Sequence, residues 1–579
     1  MKLSKALLAI AAVLLCAVGN ANAQNTPSVQ MVAMGSSALF LEMGQVAASN
    51  PSLGGCAWTT GSGPVVATDT RPGVGGLTEG GSAWIAWQAG SGSCAVPAGT
   101  FNVWIYLSTD STVGNRCVFA SPACTIAVAS SAIGNGGAGK LTGITDTPLP
   151  SAVQGALASV LVNTAGTDIR PEDAKFATNR ALTDCGSPVS GVAGSQYLGL
   201  GYATSSGSHL GVAVSGAPQG LNGSFHVVDF NLTGLDPFSN GTVSSYTVAD
   251  VGAVPIVVFV NPSDESGFGS LQVTNMTRGT LAGYLDGTFG IAADAVPQQQ
   301  SSSGPGGAPT ITFVREPLSG TYNTMEYAVP NNTEIQSSQD VGLNTGYNNG
   351  RADSHNPCTT TTPKKVSATQ NPLSDTVVRS AGNSARYRTI GTGNMVLSVL
   401  GTPDSLGYAF WSAANFAGAA ATSAKYLTID GIDPLQQVWS DGLLPTAGNG
   451  LLGNVSLANV KNGSYPIWSK LRVVYTGGNA AALVAGAQLF LSPSQPDFVP
   501  ISQLEVVRSH FAPPYNNTSN YNGDFPSSLG IDMPANGDGP ACSATEAGGD
   551  VGGLVYSIQA DNDFCAKTTL TGGNVGRRQ

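Results

Sequence analysis

The sequence predicts an α/β fold, because strand-like and helix-like segments alternate along the chain. Residues 29–34 form an apolar run, residues 38–48 have apolar positions at helical spacing, and residues 101–107 are again strand-like. Such alternation is typical of a sheet covered by helices. The 579 residues are long for one core and suit two or three lobes of ordinary size.

Two strongly apolar segments predict a chain that builds two lobes. Residues 254–261 have the composition of a buried strand, and residues 405–411 are a second candidate, with a complete α/β stretch between them. A chain that leaves one lobe, builds another and returns needs two crossing segments. We therefore expect lobe I to comprise residues 24–260, with insertions, and residues 405–512, and lobe II to comprise residues 261–404.

The N-terminus predicts export. Residues 1–23 combine a positively charged start, an apolar stretch at residues 6–18 and a small-x-small cleavage site. Cleavage would leave a periplasmic or extracellular chain that begins at Gln24. Cys16 raises the alternative of a lipid-anchored precursor, but residues 13–15 are bulky where a lipobox has small residues.

Composition and charge exclude some partners. The chain has 75 glycines and only 10% charged residues, which describes a turn-rich extracellular surface with few long exposed helices. Loss of the leader, which has two lysines and no acid, takes the formal net charge from −11 to −13. Nucleic acids and anionic membranes are not expected as partners. Residues 298–307 form a low-complexity segment, which predicts a flexible surface loop.

The cysteines predict disulfides. Eight remain beyond the leader, an even number in an exported chain, and none forms a Cys-x-x-Cys pair, so disulfides are favoured over metal ligation. Proximity favours Cys117–Cys124 and Cys542–Cys565, and leaves Cys56–Cys94 and Cys185–Cys358, although sequence alone does not fix the connectivity. The Gly/Asn-rich residues 513–579 are accordingly expected to form a disulfide-stapled C-terminal extension.

Two short motifs follow predicted strands and precede predicted helices. Residues 34–38 (MGSSA) put small residues at a helix start, where backbone N–H groups bind anions, although this motif by itself favours an ordinary N-cap. The second motif is at residues 314–326. There Arg315 could bind an oxyanion through two hydrogen bonds, with Ser319, Thr321 and the turn amides as further donors. A capping box with a surface arginine is the alternative.

On these residues the sequence resembles the phosphate-binding proteins of ABC phosphate importers, in the type II periplasmic binding protein superfamily. The resemblance rests on residues 35–38, 315–321 and 404–409, and it spans about residues 29–513. It implies two α/β lobes, joined by two crossing hinge strands, that close over a dehydrated anion held by helix N-termini. The implied partners are inorganic phosphate or a related oxyanion and an ABC permease.

The resemblance also implies the phosphate ligands. They would be Ser36, Ser37 and Ala38 from the first turn, Ser111 from a second, Asp168 after a further strand, and Arg315, Ser319, Gly320 and Thr321. Residues 109–116, which contain Ser111, depart from the usual Gly/Ser-only turn. A carboxylate accepts a hydrogen bond only from an anion that still carries a proton, so Asp168 would select phosphate over sulfate. Asp168 could equally be a helix N-cap before residues 171–173.

This chain has material beyond the family pattern. The extra residues lie at 43–101, at 117–167 and beyond Pro513. Because of them, the protein could either serve an importer or act as a free extracellular scavenger. A secreted surface or adhesion protein that keeps the two-lobed fold without a ligand is a further alternative. Arg315 argues against it, because we expect an arginine in an empty cleft to have no structural partner.

An enzyme is not expected. The four histidines, none at metal-ligand spacing, are His209, His226, His355 and His510. A triad of Ser111, Asp168 and a histidine would lack a Gly-x-Ser-x-Gly elbow and an obvious oxyanion hole, and the chain has no P-loop. The sequence therefore predicts no catalytic residue, metal or cofactor.

Overall fold

The fold is that of a computed structural model of the protein. The described residues are 25–50, 53–69, 77–90, 93–120, 122–141, 143–169, 174, 246–263, 267–285, 287, 289–296, 307–315, 318–329, 379–380, 384–389, 391–417, 424–436, 441–446, 448–491, 496–508 and 555–557. Among these, no helix combines the length and the apolar character that crossing a bilayer requires.

Strands and helices alternate along the described residues. The strands are β1 Thr26–Gly35, β2 Gly55–Thr60, β3 Val65–Asp69, β4 Leu77–Gly80, β5 Ala83–Gln88, β6 Thr100–Ser108, β7 Thr125–Val128, β8 Val160–Leu161, β9 Thr164–Thr167, β10 Thr247–Asn261, β11 Asn275–Met276, β12 Phe289–Gly290, β13 Ile311–Arg315, β14 Arg379–Ser380, β15 Ala385–Thr389, β16 Ser405–Phe410, β17 Lys425–Tyr426, β18 Thr428–Ile429, β19 Trp468–Tyr475, β20 Val499–Pro500, β21 Val506–Arg508 and β22 Val555–Ser557. The helices are α1 Ser37–Ser49, α2 Ser111–Phe119, α3 Ser151–Ala156, α4 Phe268–Leu271, α5 Arg278–Leu285, α6 Gly320–Ala328, α7 Thr392–Leu400, α8 Ala413–Phe416, α9 Ala458–Lys461 and α10 Ala481–Leu489. Short 3₁₀ turns lie at Ser130–Ala132, Ala292–Ala295, Leu452–Asn454 and Ile501–Gln503.

One large mixed sheet organises these elements. Its strand order is β15-β13-β16-β10-β19-β9-β1-β6-β5-β2, and β17 and β20 also pair with β10. β1 runs parallel to β6 and β9, and β13 runs parallel to β15 and β16. The sheet therefore contains two parallel regions, separated by the antiparallel pairs that β10 and β19 make.

The long strand β10 joins the two lobes. Its residues 247–255 pair with β19, and its residues 256–261 pair with β16. We call the side with β1, β6, β9 and β19 the first lobe, and the side with β13, β15 and β16 the second lobe. The predicted crossing segments 254–261 and 405–411 overlap β10 and β16, so a two-lobed α/β fold is confirmed. The predicted residue bounds of the lobes stay a prediction.

Both faces of the first lobe's sheet are covered. Along β1, the side chains of Met31 and Ala33 belong to one hydrophobic cluster, and those of Val32 and Met34 belong to another. Successive side chains of a strand point to opposite faces, so a strand buried on both sides is a continuous apolar run. The run at residues 29–34 was recognisable as a strand for this reason.

Two of the predicted disulfides are present. Cys56 is bonded to Cys94 and Cys117 is bonded to Cys124, which confirms both pairings. The other two predicted pairs, Cys185–Cys358 and Cys542–Cys565, lie outside the described residues. So do the leader at residues 1–23, residues 298–306 of the low-complexity segment, the four histidines, and residues 513–579 apart from β22.

Glycines let the start of α2 lie against the end of β1. A Cβ added to Gly114 would lie 2.4 Å from the Met34 carbonyl oxygen and 2.8 Å from the Cα of Gly35. Gly35 itself has a φ of +133° and lies against Gly166 of β9, where an added Cβ would be 2.1 Å from the carbonyl oxygen. These contacts are between backbones, which cannot yield as a flexible side chain can, so the close approach depends on glycine.

Gly114→Ala is expected to destabilise the protein by about 1–3 kcal/mol, the usual cost of overpacking. Gly155→Ala is the matched control, because Gly155 is also helical but nothing lies within 4 Å of its added Cβ. There we expect a gain of up to about 1 kcal/mol from helix propensity. Urea unfolding of both variants gives the comparison, and equal effects would contradict the packing argument.

Candidate functional site

The predicted site residues lie at one edge of the sheet. β1, β6 and β9 are adjacent parallel strands, and they end at Gly35, Ser108 and Thr167. The chain turns from β1 into α1 and from β6 into α2, and Asp168 follows β9 directly. In the second lobe, Arg315 is the last residue of β13 and α6 begins five residues later. Ligands of open α/β sheets bind at such carboxyl ends.

The first turn gives Ser36 and Ser37 different surroundings. The Ser36 amide donates to the Gly166 carbonyl oxygen (2.8 Å), and its own carbonyl oxygen accepts from the Tyr106 hydroxyl (2.7 Å). The Ser36 hydroxyl accepts from the Ala38 amide (3.2 Å), so it is the N-cap of α1. Ser37 is half-buried, and its hydroxyl lies 3.2 Å from that of Thr392, at the start of α7. Ser36 thus holds the helix start, and Ser37 faces outward from it.

Arg315 is almost completely buried, with 2% of its surface exposed. Its Nη1 donates to the Thr392 hydroxyl (3.1 Å) and to the Thr321 hydroxyl (3.4 Å), and its Nη2 lies 3.5 Å from Oδ1 of Asp110. The alternative of a surface arginine is therefore wrong. The expectation that this arginine would have no structural partner is also wrong, because Asp110 and two threonines surround the guanidinium.

The start of α6 lies beside Asp168. The Ser319 hydroxyl accepts from the Tyr322 amide (3.4 Å) and caps α6. A Cβ added to Gly320 would lie 2.0 Å from Oδ1 of Asp168, so the carboxyl group lies directly against the helix start. The Asp168 amide donates to the Ser111 hydroxyl at 3.4 Å. Ser111, Asp168 and Gly320 therefore form one buried contact group between the lobes.

Burial controls the charge of Asp168. The residue is 1% exposed, and among the described residues Oδ1 accepts no hydrogen bond. This desolvation raises the pKa of the Asp168 carboxyl to about 7, although a backbone hydrogen bond and the charges of Arg315 and Arg472 lower it. Asp168 is consequently close to half-protonated at neutral pH.

A cavity of about 400 Å³ lies between the lobes, in front of Arg315. It borders the first turns of three helices: Ser37 belongs to α1, Asp110 is the N-cap of α2, and Thr392 is the first residue of α7. Lys140 reaches its solvent-exposed rim. Helix N-termini carry partial positive charge, so the three helix starts add to the positive charge of Arg315 and Lys140 at the cavity. The carboxylate of Asp110 is the opposing negative charge.

The structure divides the predicted ligands into two sets. Ser37 and Arg315 line the cavity. The others are buried behind its wall, at helix starts or, for Asp168, after β9; they are Ser36, Ala38, Ser111, Asp168, Ser319, Gly320 and Thr321. Thr321 still contacts Arg315 directly.

Thr392, Asp110 and Lys140 are among the cavity residues that sequence reasoning missed. Thr392 lies in a Gly-Thr-Gly run that follows β15 and begins α7, the same strand-to-helix pattern that identified residues 34–38, so it could have been found. Asp110 precedes the predicted Ser111 and was passed over as part of an irregular turn. Lys140 lies in a glycine-rich loop, and nothing in its sequence neighbourhood indicates a place in the cavity.

The cavity region has no evident metal centre. Among the described residues, no group of three or more His, Cys, Asp or Glu side chains could hold a metal ion. The predicted ligands are hydroxyl, amide and guanidinium groups, together with one carboxyl group. Donors of this kind suit an anion and not a cation.

Comparisons with known proteins give distant likenesses. No family model and no curated protein matches the chain. A phosphate-binding protein of Stenotrophomonas maltophilia is 13% identical over 72% of this chain and 87% of its own, with a TM-score of 0.30. A putative phosphate ABC transporter substrate-binding protein of Clostridium perfringens, solved with bound phosphate, is 13% identical over 44% of this chain and 72% of its own, with a TM-score of 0.25. A possible phosphate-binding protein of Planctomyces limnophilus is 18% identical over 40% and 56%, with a TM-score of 0.20. These proteins are of the kind that the sequence motifs resemble, but likenesses this weak assign no role to this chain.

The raised pKa of Asp168 predicts a pH-dependent stability. Unfolding returns the carboxyl to its ordinary value of 3.8, so between that value and about 7 the folded state holds more protons, and stability falls as pH rises. Asp168→Asn removes this loss, and its stability relative to the parent should rise by up to about 4 kcal/mol between pH 4 and pH 8.

Urea unfolding of the parent and of Asp168→Asn at both pH values measures this difference. The buried Glu42 and Asp497, whose pKa values burial also raises, are present in both proteins and cancel in the comparison. A difference that stays constant between pH 4 and pH 8 would contradict the raised pKa of Asp168.

Proposed function

We propose that this protein is an extracytoplasmic receptor that binds inorganic phosphate, or a similar tetrahedral oxyanion, between its lobes and performs no chemistry on it. The observation that carries the proposal is the buried guanidinium of Arg315 at the wall of a cavity that three helix N-termini border. A guanidinium and helix-start amides are complementary to an oxyanion in both charge and geometry. A net charge of −13 is no obstacle, because these dipoles and hydrogen bonds act at short range.

The ligand roles follow from the contacts of each group. Arg315 would bind two oxygens of the anion, and the hydroxyls of Ser37 and Thr392, which already meet each other at 3.2 Å, would donate to the others. The amide of Ala38 and the turn 319–321 would add donors as their present internal bonds rearrange. Asp110 is the internal anion that holds Arg315 until the ligand arrives.

Selection of a protonated anion would depend on Asp168, once closure rearranges the wall and brings its carboxyl group from behind the wall to the ligand. Its carboxylate form accepts a hydrogen bond from an anion that keeps a proton, as phosphate does at neutral pH and sulfate does not. Facing a fully ionised sulfate, the same group would be an uncompensated buried charge. Ser111 and Ser36 would act behind it, by fixing the Asp168 backbone and the start of α1.

Binding would be coupled to closure of the lobes. The pairs Ser37–Thr392, Asp110–Arg315 and Thr112–Leu318 each join a residue of the first lobe to one of the second. A hinge in the crossing strands would break and form these contacts together. The closed form would then be what an ABC permease recognises in the periplasm, if the protein serves an importer. A free scavenger would use the same cleft.

A second candidate function is a secreted surface or adhesion protein that keeps the two lobes without a ligand. The ion pair between Arg315 and Asp110 favours it, because the arginine already has an internal partner at 3.5 Å. Calorimetry with phosphate separates the two candidates.

The test is isothermal titration of the mature chain, stripped of bound anions, with phosphate and then sulfate at pH 7–8. We expect phosphate to bind and sulfate not to bind. Arg315→Ala should weaken phosphate binding by at least about a hundredfold, because it removes one partner of a buried charged hydrogen-bond set.

Arg278→Ala is the control for loss of one positive charge. Arg278 is paired with Asp430 and does not line the cavity, so the variant should bind phosphate as the parent does. An absence of heat and of a thermal shift with both anions in the parent would exclude the receptor and favour the surface protein. An equal loss in both variants would show that Arg315 acts only through overall charge.

A further inference from the structure

The cavity persists although the lobes are in contact. The Thr112 hydroxyl donates to the Leu318 carbonyl oxygen across the lobes at 2.6 Å, and the carboxyl group of Asp168 lies against Gly320. Ser37 and Thr392 also meet, at 3.2 Å. The space of about 400 Å³ is therefore not a gap between separated lobes, and a bound ligand has to fill it or share it with water.

This space is much larger than one tetrahedral ion. With about 30 Å³ for each water in the liquid, the cavity would hold on the order of a dozen waters. It also lies within the range of about 300–1,000 Å³ that is typical of organic ligand sites. Arg315, Ser37 and Thr392 are only three of its lining residues, so most of its wall remains for another part of the ligand.

We call the apolar side chains of the remaining lining its apolar face and the polar ones its polar face. Phe40, Leu41 and Ala414 contribute aromatic and aliphatic surface, whereas Ser82, Lys140 and Asn415 contribute a hydroxyl, an ammonium and an amide group. A small polyhydroxylated molecule has the matching properties, since its C–H surface packs on apolar side chains and its hydroxyls bond to polar ones.

The polar face includes the material that this chain has beyond the family pattern. Ser82 lies within residues 43–101, and Lys140 lies within residues 117–167. Both are held in place: the Ser82 carbonyl oxygen accepts from the Ser108 amide at 2.7 Å, and the Lys140 amide donates to the Thr59 hydroxyl at 3.0 Å. The backbones of both residues are thus fixed beside the cavity.

We propose, on the basis of the function proposed above, that the preferred ligand is a phosphate monoester of a small polyhydroxylated molecule. The phosphate group lies at Arg315, Ser37 and Thr392. The organic group extends between the apolar face at Phe40 and the polar face at Asn415 and Lys140. Ester formation leaves the phosphate group with three terminal oxygens for Arg315 and the hydroxyls of Ser37 and Thr392. A monoester has mostly lost its second proton at pH 7–8, so its tighter binding depends on the organic group and not on a hydrogen bond to Asp168.

Isothermal titration with inorganic phosphate, glycerol 1-phosphate, glucose 6-phosphate and unphosphorylated glucose tests this proposal. At least one ester should bind at least tenfold more tightly than phosphate, and glucose should not bind. Ala414→Leu, which narrows the cavity, and Asn415→Ala, which removes an amide, should each weaken the ester at least fivefold and leave phosphate within twofold of the parent.

Ala458→Leu is the matched control, because Ala458 is a half-buried alanine at the start of another short helix and does not line the cavity. It should change neither affinity. Phosphate binding without an advantage for either ester overturns this inference and leaves the receptor intact. Equal losses of phosphate and ester in Ala414→Leu and Asn415→Ala also overturn it, because the organic group would then lie elsewhere. No binding of any phosphate compound overturns the receptor itself.

Discussion

The buried guanidinium of Arg315 is the constraint on which the cleft depends. A cation this deep in a protein costs several kcal/mol of lost hydration unless charged and hydrogen-bonding partners compensate it. Here the compensation comes from the other lobe through Asp110 and from hydroxyls of the same lobe, Thr321 and Thr392. The helix starts around the cavity add partial positive charge to the same place. The cleft thus sets a buried guanidinium and three helix starts against the carboxylate of Asp110, and the proposed binding of an anion rests on this arrangement.

Close packing of backbones puts the helix starts where they can act together. Gly35 lets the end of β1 lie against β9, Gly166 leaves room for the Tyr106 side chain, and Gly114 lets α2 lie on β1. Gly320 similarly allows α6 to meet the Asp168 carboxyl. At Gly35 and Gly114 an added side chain would meet backbone atoms, so the strand end or the helix start would have to move. These glycines therefore matter because they allow close packing, and less because their backbone is flexible.

Two carboxyl groups of the cleft have different environments and different tasks. Asp110 lines the cavity and forms an ion pair with Arg315. Asp168 lies behind the wall, and its burial raises the pKa of its carboxyl to about 7. The first offers Arg315 a negative partner, and the second can change its charge near neutral pH. Both are joined to the second lobe, so the charge state of the cleft and the contact between the lobes are linked.

The sequence alone determined the main strands and helices, and it picked out Arg315 as the cation of the predicted site. Largely apolar runs predicted β1, β6 and β10, because strands buried on both faces need them. The Arg-x-x-x-Ser-Gly-Thr pattern picked out Arg315 and predicted the start of α6, with a helix cap as the alternative role of this turn. These signals lie within a few neighbouring residues. Only the tertiary structure decided that Thr392 and Asp110 face Arg315, that Asp168 lies against Gly320, and that Lys140 lies at the rim of the cavity. These contacts join residues that are dozens to hundreds of positions apart, and the packing of sheet and helices creates them. The size of the cavity was equally inaccessible from sequence, because it depends on how two lobes and two inserted segments fit together.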